Sequence, residues 1–582
     1  MAEIPTIPDP SCAANRIPRA GLLFVLLAAA ASRLIGLGHL DPWMDEVYSH
    51  IASSELFPLL LRWETPGNES SSPLPFIEIK IARQIFGEHS ALTLRVPSAV
   101  HGILAVGLLY IFVGRTIGWA TAFWSALLLA LHPFALEWGR EGRMYTQWLS
   151  SSLLMGMLAH AAVQKARQSQ LSPLDWRWWL LGMSLMLVHA SNVGGTMSIA
   201  VTAAWLGMMG LTTGIRRPVE GWRILLGSKY YLWKAIGGML SDIRGRCILL
   251  GSALAGAVYL GSWGLTGIAK MLLLLGHSSP AKGFTPPVFS EELAAFAQQL
   301  AGHPSMAAAA LVWVVVAAGL ALASRGGRWQ VVALLVGLSL AGWLSFPNVA
   351  KSHFFAPRYV FTAVIAVSVG LGAVLAATWQ YGRASFGNLA AATPVTLLLL
   401  LLGLWWPYLS DVFFVPKMAV RQSLAPMRQH AAEGDAFILV PDWYLSLQEY
   451  KPYDFGKKIR LTRGPKEARY DTGGDENFNG DFEKWFVGSP GEPAPPGKQP
   501  VPAATWLYLL RGEVKAADSE LAKWEPRLVE IERVLAAYGL TKDDLRAKLT
   551  EETFTFSCRL SRDSAGKGVI DHIVAAPGRR IR

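Results

Sequence analysis

The chain has 582 residues, of which 52% are hydrophobic and only 16% are charged, whereas soluble globular domains carry about 25% charged residues. Its net charge of +11 does not favour nucleic-acid binding, because much of the excess lies in short connections between long apolar runs. Its cysteines form no Cys-x-x-Cys pair, so neither a zinc site nor a disulfide framework is indicated. These features predict a protein whose main solvent is a lipid bilayer.

Long apolar runs continue to about residue 414 and predict an all-α polytopic membrane domain. A helix needs roughly 17–25 mainly apolar residues to cross a bilayer, and about eleven segments meet this requirement. The predicted spans are 20–37, 92–113, 118–136, 144–163, 176–190, 193–212, 247–266, 306–323, 329–347, 359–379 and 392–412.

Basic residues are concentrated in alternate connections between these spans, and the positive-inside rule places such connections in the cytosol. They are Arg16, Arg19, Arg115, Lys165, Arg167, Arg325, Arg328 and Arg383, with a basic stretch at 216–246. The pattern predicts a multi-pass protein of the plasma (inner) membrane with a cytosolic N-terminal tail (1–19) and a transmembrane domain (20–414). After an odd number of spans, residues 415–582 are extracytoplasmic (periplasmic).

Three predicted outer segments are long enough to contribute to a site: 38–91, 267–305 and the tail from about 415. In the tail the charged residues and glycines become more frequent, and short strand-like runs appear at 436–440, 506–510 and 553–557. Charges recur at helical spacing over 516–549, and a Pro- and Gly-rich insert covers 488–500. The tail is therefore predicted to be a soluble α/β outer domain.

Two adjacent acids follow the first span in the segment LDPWMDEVYSH (40–50), namely Asp45 and Glu46, and the aromatic residues Trp43 and Tyr48 flank them. Neighbours on a helix point about 100° apart, so both acids cannot face one centre equally. We expect one to reach the reacting atoms and the other to orient partners or cap a helix. By itself such a pair is more typical of an ordinary polar loop with interfacial aromatic residues than of a catalytic site.

Three further segments narrow this interpretation: SSSPLPFIEIKIARQIFGEHSALTLRVPSAV (70–100), GRTIGWATAFWSALLLALHPFALEWGREGRMYTQ (114–147) and SHFFAPRYVFTAVIAV (352–367). With the early acid pair, and in this order, they resemble bacterial membrane glycosyltransferases related to protein O-mannosyltransferases and to the aminoarabinose transferase of lipid A (glycosyltransferase family 39-like). The resemblance covers residues 20–165 well and 350–415 loosely. Ser72 and Pro73 stand where relatives commonly begin a His-Pro-Pro run.

The resemblance implies the GT-C fold, a site on the outer face and a polyprenyl-phosphate sugar as donor. It implies that Asp45 is the catalytic carboxylate, assisted by Glu46 and by Glu141, the second acidic position. The residues expected to contact substrate are Arg143, Tyr145, Arg358, Tyr359, Tyr48, Lys351, His353 and His189.

Each of these residues also has a structural interpretation. Glu141 could belong to an interfacial ion-pair cluster, Arg358 could extend towards the membrane surface, and Lys351 and His353 could be ordinary loop residues. His189 could be a neutral histidine with one hydrogen-bond partner. For Arg95 we favour a structural role, for Glu78 and Lys80 a surface-lying helix, and for His132-Pro133 a helix end.

The chemistry agrees with the resemblance. Moving a sugar from a phosphate requires a base for the acceptor hydroxyl and cations for the departing phosphate, which needs no general acid. We therefore expect an inverting, single-displacement hexosyltransferase that requires no cofactor, although a divalent cation at Asp41, Asp45 and Glu46 stays an alternative. Its partners would be the lipid-linked donor, a lipid, glycan or protein acceptor, and membrane lipids. The alternatives are oligosaccharyl transfer from a pyrophosphate-linked carrier and a non-catalytic lipid or solute transporter.

Overall fold

The computed structural model describes residues 17–63, 72–88, 90–168, 172–192, 194–214, 229–269, 289–345, 357–386, 392–432, 435–440, 460–461, 501–510, 524–550 and 553–577. Up to residue 432 the described regular structure is helical, and beyond it a small sheet is covered by short helices. The predicted fold class, an all-α membrane domain followed by a C-terminal α/β domain, is confirmed.

Each predicted span coincides with described helical structure. The helices are α1 (Arg19–Leu34), α2 (Met44–Ser54), α3 (Phe57–Leu61), α4 (Pro73–Phe86), α5 (Ala91–Thr116), α6 (Trp119–Leu131), α7 (Pro133–Gly139), α8 (Tyr145–Arg167), α9 (Trp176–Ser191), α10 (Gly195–Gly214), α11 (Lys229–Ser241), α12 (Ile243–Tyr259), α13 (Phe289–Ala301), α14 (Met306–Ala323), α15 (Trp329–Leu340), α16 (Val364–Phe386), α17 (Ala392–Phe414) and α18 (Val420–His430). A π-helical turn covers Leu260–Gly264, and 3₁₀ turns cover Ala341–Ser345 and Pro357–Ala363.

Among the described residues, six helices are long and apolar enough to cross a membrane, or up to seven if the bent pair α6 and α7 forms one span. The remaining predicted spans fall on helices that are shorter or more polar: α1 and α9 have 16 residues each, and α15 has 12. Helix α8 is long, but its first half buries Gln147, Ser150, Ser151 and Ser152. These polar groups lower the mean hydropathy of α8. They lie in the half of the helix that begins beside the charged site described below.

The break between α6 and α7 confirms the expected helix end at His132-Pro133, and the two helices meet at 59°. Proline cannot continue the α6 hydrogen-bond ladder, so carbonyl groups at the end of α6 need other donors. Arg33 on α1 provides them: its Nη1 donates to the carbonyl of Ala130 at 3.0 Å and its Nη2 to that of Leu129 at 3.2 Å. The bend directs α7 and the turn after it towards the first outer segment.

The predicted outer segment 38–91 contains α2, α3 and α4, and α4 includes the helix expected around Glu78 and Lys80. Helix α16 lies at the centre of the membrane domain and packs against α6 and α14. At the α14–α16 contact, a Cβ on Gly319 would lie 1.8 Å from the Gly370 carbonyl oxygen. Glycine is therefore required for this close backbone approach between α14 and α16.

The C-terminal domain has a five-stranded sheet in the order β2-β1-β3-β4-β5. The strands are β1 (Ala436–Val440), β2 (Arg460–Leu461), β3 (Ala504–Leu510), β4 (Thr553–Arg562) and β5 (Gly568–Pro577). β1 pairs in parallel with β2 and β3, whereas β3, β4 and β5 pair antiparallel. The three predicted strand-like runs fall in β1, β3 and β4. The helices α19 (Glu525–Glu530), α20 (Glu532–Ala537) and α21 (Lys542–Arg546) follow β3, and buried residues around them such as Trp524 and Leu535 form a core with the strands.

Candidate active site

Asp45 lies in the first turn of α2, shortly after α1 and the loop that connects the two helices. One of its carboxylate oxygens, Oδ2, is 3.9 Å from Nε of Arg143 and 3.7 Å from Nη2 of Arg358. These distances are ion-pair distances longer than a direct hydrogen bond, and Oδ2 accepts no hydrogen bond from the described residues. The Asp45 side chain keeps 18% of its surface exposed. We call Asp45, Arg143 and Arg358 the Asp45 group.

Arg143 belongs to the turn that connects α7 with α8, and its position is fixed from several sides. Its Nη1 donates to the Asp45 carbonyl at 3.0 Å and to Ser49 Oγ at 3.2 Å. The Ser98 hydroxyl on α5 donates to the Arg143 carbonyl at 2.7 Å. The guanidinium group is therefore held against the start of α2 before any substrate binds.

Arg358 comes from the 3₁₀ turn before α16 and lies among aromatic rings. Its guanidinium carbon is 5.9 Å from the Trp43 ring centroid, 6.0 Å from that of Trp138 and 5.5 Å from that of Tyr359. Aromatic faces attract such cations, more strongly where water is excluded. The rings therefore help to fix the Arg358 side chain, which approaches Asp45 from a segment more distant in sequence than the turn that carries Arg143.

Glu46 points away from this group, as expected for a neighbour on a helix. Its side chain is fully buried and paired with Arg95, whose Nε and Nη2 donate to its two oxygens at 2.7 Å each. The Gly142 N–H also donates to Oε1 at 2.7 Å, and the Trp43 N–H donates to Oε2 at 3.2 Å. Arg95 additionally donates to the carbonyls of Leu37, Leu40 and Asp41, which agrees with the structural role favoured from the sequence.

Glu141, in the same turn as Arg143, belongs to a second cluster. Lys417 Nζ lies 2.6 Å from Glu141 Oε1 and 3.3 Å from Glu137 Oε1. The Trp43 indole N–H donates to Glu141 Oε2 at 3.1 Å, and the Tyr408 hydroxyl donates to Glu137. We call Lys417, Glu137 and Glu141 the Lys417 group. Its three side chains are only 4–8% exposed.

The Lys417 group borders a cleft that opens to solvent; its empty volume is about 380 Å³ when the adjoining open solvent is included. Its walls come from the loop after α1, from α7 and from the segment after α17, and its polar lining is Asp41, Arg95, Glu137, Arg140, Glu141 and Lys417. Burial raises the pKa of Asp41, against the opposing effect of its hydrogen bond and ion pair with Arg421. Charged groups of the helical domain and of the segment that leads into the C-terminal domain therefore meet at the same end of the bundle.

The remaining predicted site residues are distributed over the neighbourhood. Tyr145 is 2% exposed and its ring packs edge-on against Trp138 at 4.9 Å, next to the Asp45 group. Tyr359 contacts Arg358, and Tyr48 is half-buried against the membrane core. Lys351 and His353 lie outside the described residues.

His189 lies at the end of α9 and contacts other residues. Its Nδ1 is 2.6 Å from the Tyr259 hydroxyl, and its ring packs edge-on against Trp63 at 5.1 Å. Ser72 donates through its hydroxyl to the His189 carbonyl at 2.7 Å. These contacts favour the structural interpretation of His189 over substrate contact.

Among the described residues, no group of three or more His, Cys, Asp or Glu side chains is arranged to hold a metal ion. The three acids considered for a cation face different partners: Asp41 pairs with Arg421, Asp45 with Arg143 and Arg358, and Glu46 with Arg95. In the described residues these acids form separate ion pairs.

Sequence reasoning missed Lys417 and Glu137. Glu137 lies one helical turn before Glu141 in the quoted segment, so its spacing could have indicated a shared face. Lys417 follows the last apolar run, where a lone lysine resembles an ordinary interfacial residue. Nothing in its local sequence indicates that it reaches the turn before α8.

A family match supports a membrane glycosyltransferase, in agreement with the helical domain and the charged site at one end of the bundle. Residues 70–220 match the model of the dolichyl-phosphate-mannose-protein mannosyltransferase family. The match confirms the resemblance to protein O-mannosyltransferases in the part of the chain that contains Arg95, Glu141 and Arg143. A search of curated proteins found no match to this chain.

Several solved structures are similar to the chain at low identity. ArnT from Cupriavidus metallidurans in the apo state gives a TM-score of 0.49 at 13% identity, over 88% of this chain and 95% of that one. The same protein bound to undecaprenyl phosphate gives 0.47 at 12% identity over the same shares, 88% and 95%. The apo oligosaccharyltransferase of Archaeoglobus fulgidus gives 0.46 at 13% identity over 77% of this chain, and the alignment spans only 65% of the archaeal chain.

Proposed function

We propose that this GT-C-type membrane protein transfers a monosaccharide from a polyprenyl-phosphate sugar to an acceptor hydroxyl on the outer face of the inner membrane. The observation that carries the proposal is the position of the Asp45 carboxylate between Arg143 and Arg358. A carboxylate that accepts no hydrogen bond through Oδ2 from the described residues can accept a proton from a hydroxyl, and the two guanidinium groups beside it can bind a phosphate.

The chemistry proceeds in one displacement. Asp45 accepts the proton of the acceptor hydroxyl while the acceptor oxygen attacks the anomeric carbon of the donor sugar. The bond between that carbon and the phosphate oxygen breaks, and its electron pair stays on the phosphate. Arg143 and Arg358 stabilise the resulting polyprenyl phosphate through charge-assisted hydrogen bonds. Attack opposite the leaving group inverts the anomeric configuration.

Glu46 takes a positioning role in this proposal, although the sequence predicted a catalytic one. Both its oxygens accept hydrogen bonds from Arg95 and from backbone N–H groups, and the side chain is fully buried. It therefore ties the start of α2 to the turn that carries Glu141 and Arg143. Glu141 lies beside the cleft, where it can contact a sugar hydroxyl at its edge.

A lipid-linked donor and an outer-face site are supported by two observations. The matched family is named for dolichyl-phosphate mannose, which is a polyprenyl-phosphate sugar. The site also combines the loop after α1, the turn before α8, the turn before α16 and the segment after α17, which lie at one end of the bundle. The distribution of basic residues assigns the other end to the cytosol.

The test is donor cleavage by the purified full chain in lipid nanodiscs, with a radiolabelled polyprenyl-phosphate hexose and a panel of hydroxyl acceptors. The wild type should release polyprenyl phosphate, and Asp45→Asn should lower turnover about 10²–10⁴-fold because the base is lost. The matched control is Asp175→Asn, which removes a carboxylate that caps α9. Equal turnover by Asp45→Asn would exclude Asp45, and cleavage of a pyrophosphate-linked oligosaccharide instead would support the oligosaccharyl alternative.

A further inference from the structure

We propose that Lys417 is a positioning residue through which the C-terminal domain holds the site in its reactive geometry, an inference that rests on the proposed function. Lys417 lies between the last membrane helix α17 and helix α18 of the C-terminal region. Its contacts with the site run through Glu141, which it approaches as an ion pair, and through Trp43, whose ring it lies over.

Lys417 is a buried cation held by two carboxylates and two aromatic rings. Its ammonium group is 2.6 Å from Glu141 and 3.3 Å from Glu137, and it lies 4.2 Å and 4.1 Å from the ring centroids of Trp43 and Trp138. Only 4% of the side chain is exposed. A buried ammonium persists where charges and ring faces replace its water, and both are present here.

Trp43 transmits the position of Lys417 to the reacting carboxylate. Its indole N–H donates to Glu141, whose other oxygen binds Lys417, so the ring is fixed from both directions. The same ring lies 5.9 Å from the Arg358 guanidinium carbon, and the residue is the N-cap of α2, two positions before Asp45. Moving the indole therefore moves both the cation and the carboxylate of the Asp45 group.

Lys417 is joined to the soluble domain by a short, well-bonded segment. Helix α18 begins at Val420, and its Ser423 exchanges hydrogen bonds with β4: the Ser557 hydroxyl donates to the Ser423 carbonyl at 2.6 Å, and the hydroxyls of Ser423 and Thr555 are 2.9 Å apart. Between them, Arg421 pairs with Asp41 at 3.1 Å. The position of the sheet is thus coupled to the first outer loop by the Arg421–Asp41 ion pair, and to α7 and the turn after it by the ion-pair contacts of Lys417.

The first test is turnover of Lys417→Met, which keeps the length of the side chain and removes its charge. We expect kcat to fall about 10- to 100-fold, because displacement of reacting groups by about 1 Å has effects of this size. KM for the donor should change little, and Lys417→Arg should restore part of kcat. The matched control is Lys542→Met, which removes another lysine placed between two glutamates, Glu525 and Glu532, on the soluble domain.

A double variant separates positioning from simple stabilisation. Lys417→Met leaves two buried carboxylates together, whereas Lys417→Met with Glu137→Gln restores the net charge of the wild-type cluster without restoring the bond to Glu141. We expect the double variant to regain thermal stability relative to Lys417→Met but to keep the low kcat. Recovery of kcat along with stability would overturn the proposal, as would an unchanged kcat in Lys417→Met.

Hydrogen–deuterium exchange of the full chain in nanodiscs gives a readout that does not depend on turnover. Lys417→Met should increase exchange in peptides covering α2, whereas Lys542→Met should not. Unchanged exchange in α2 would overturn the positioning role. If the wild type cleaves no polyprenyl-phosphate sugar while α2 responds to Lys417→Met, the proposed function fails and the coupling of the domains stands.

Discussion

The Asp45 group and the Lys417 group both contact the Trp43 indole, yet they are paired in different ways. In the Lys417 group the ammonium is 2.6 Å and 3.3 Å from its carboxylates, and in the Asp45 group the arginines are 3.7 Å and 3.9 Å from theirs. The Asp45 carboxylate is also the more exposed, at 18% against 7–8% for the two glutamates. Close, dry pairs suit a fixed framework, whereas a loose pair leaves space for a phosphate oxygen or a hydroxyl.

The largest expected effect is on stability and concerns the buried ion pair between Arg95 and Glu46. Arg95→Met leaves the fully buried Glu46 without its bidentate partner, and breaking such a pair costs about 3–5 kcal/mol. We expect a correspondingly lower midpoint of thermal unfolding in detergent, measured by the recovery of monodisperse protein after heating. Asp45→Asn, at the loose pair, should unfold close to the wild-type temperature. Equal loss of stability in both variants would remove the distinction between the two kinds of pair.

The next effect concerns phosphate binding at the loose pair. Arg358→Met should weaken donor binding by about 1.5–3 kcal/mol, the usual worth of a hydrogen bond to a charged group. This corresponds to a rise in the dissociation constant of about 10- to 100-fold, measurable with a polyprenyl phosphate by microscale thermophoresis. The matched control, Arg177→Met, removes an arginine paired with Asp175 at the start of α9 and should leave binding unchanged. Unaltered affinity in Arg358→Met would exclude this arginine from phosphate binding.

A smaller effect tests how tightly the turn with Glu141 and Arg143 is packed. A Cβ on Gly142 would lie 2.8 Å from the Leu94 carbonyl oxygen, so Gly142→Ala should cost about 1–3 kcal/mol of unfolding free energy. The same substitution at Gly207 in α10, where nothing lies within 4 Å, should be neutral or stabilising. Indistinguishable thermal unfolding of the two alanine variants would show that the turn can move to accommodate a methyl group, which would contradict the tight packing.

The smallest effect is expected at the exposed tie between Arg421 and Asp41. The Arg421 side chain is 46% exposed, and Arg421→Met keeps the backbone N–H that donates to Asp41 at 2.8 Å. Arg421→Met should lower the unfolding free energy by less than about 1 kcal/mol, and by still less in high salt, which screens exposed charges. Chemical denaturation at two ionic strengths measures it. A loss as large as that of Arg95→Met would mean that exposed and buried pairs contribute equally here.

Much of the fold could be predicted because bilayer spans are determined by local composition. The apolar runs located the helices that coincide with the predicted spans, but not helices such as α3 and α13 in the outer segments, and the short strands β1, β3 and β4 followed from apolar residues bounded by polar ones. β5 was not predicted, since its centre contains Asp571 and His572 and much of the strand is only partly buried. The low hydropathy of α8 likewise reflects polar packing that no local rule describes.

Site residues could be predicted only where they belong to a recognisable sequence motif. Asp45, Glu141, Arg143 and Arg358 lie in the segments 40–50, 114–147 and 352–367 that carry the family resemblance, and the structure brings them to one end of the bundle. Glu46 was assigned with Asp45 because the two are adjacent, but burial and Arg95 separate them. Lys417 could not be found because its partners, Glu137 and Glu141, are distant in the chain.

Arg33, which binds the carbonyl groups at the end of α6, explains how a broken helix can be stable inside a bilayer. Hydrocarbon offers no molecules that could solvate bare peptide oxygens, so the guanidinium of Arg33 serves as a fixed, internal substitute for water. Glycines at positions 102 and 139 leave the room it occupies, since a Cβ at either would lie within 3.1 Å of its Nε. The bend between α6 and α7 is therefore rigid. The turn after α7, which carries Glu141 and Arg143, is held in place by it.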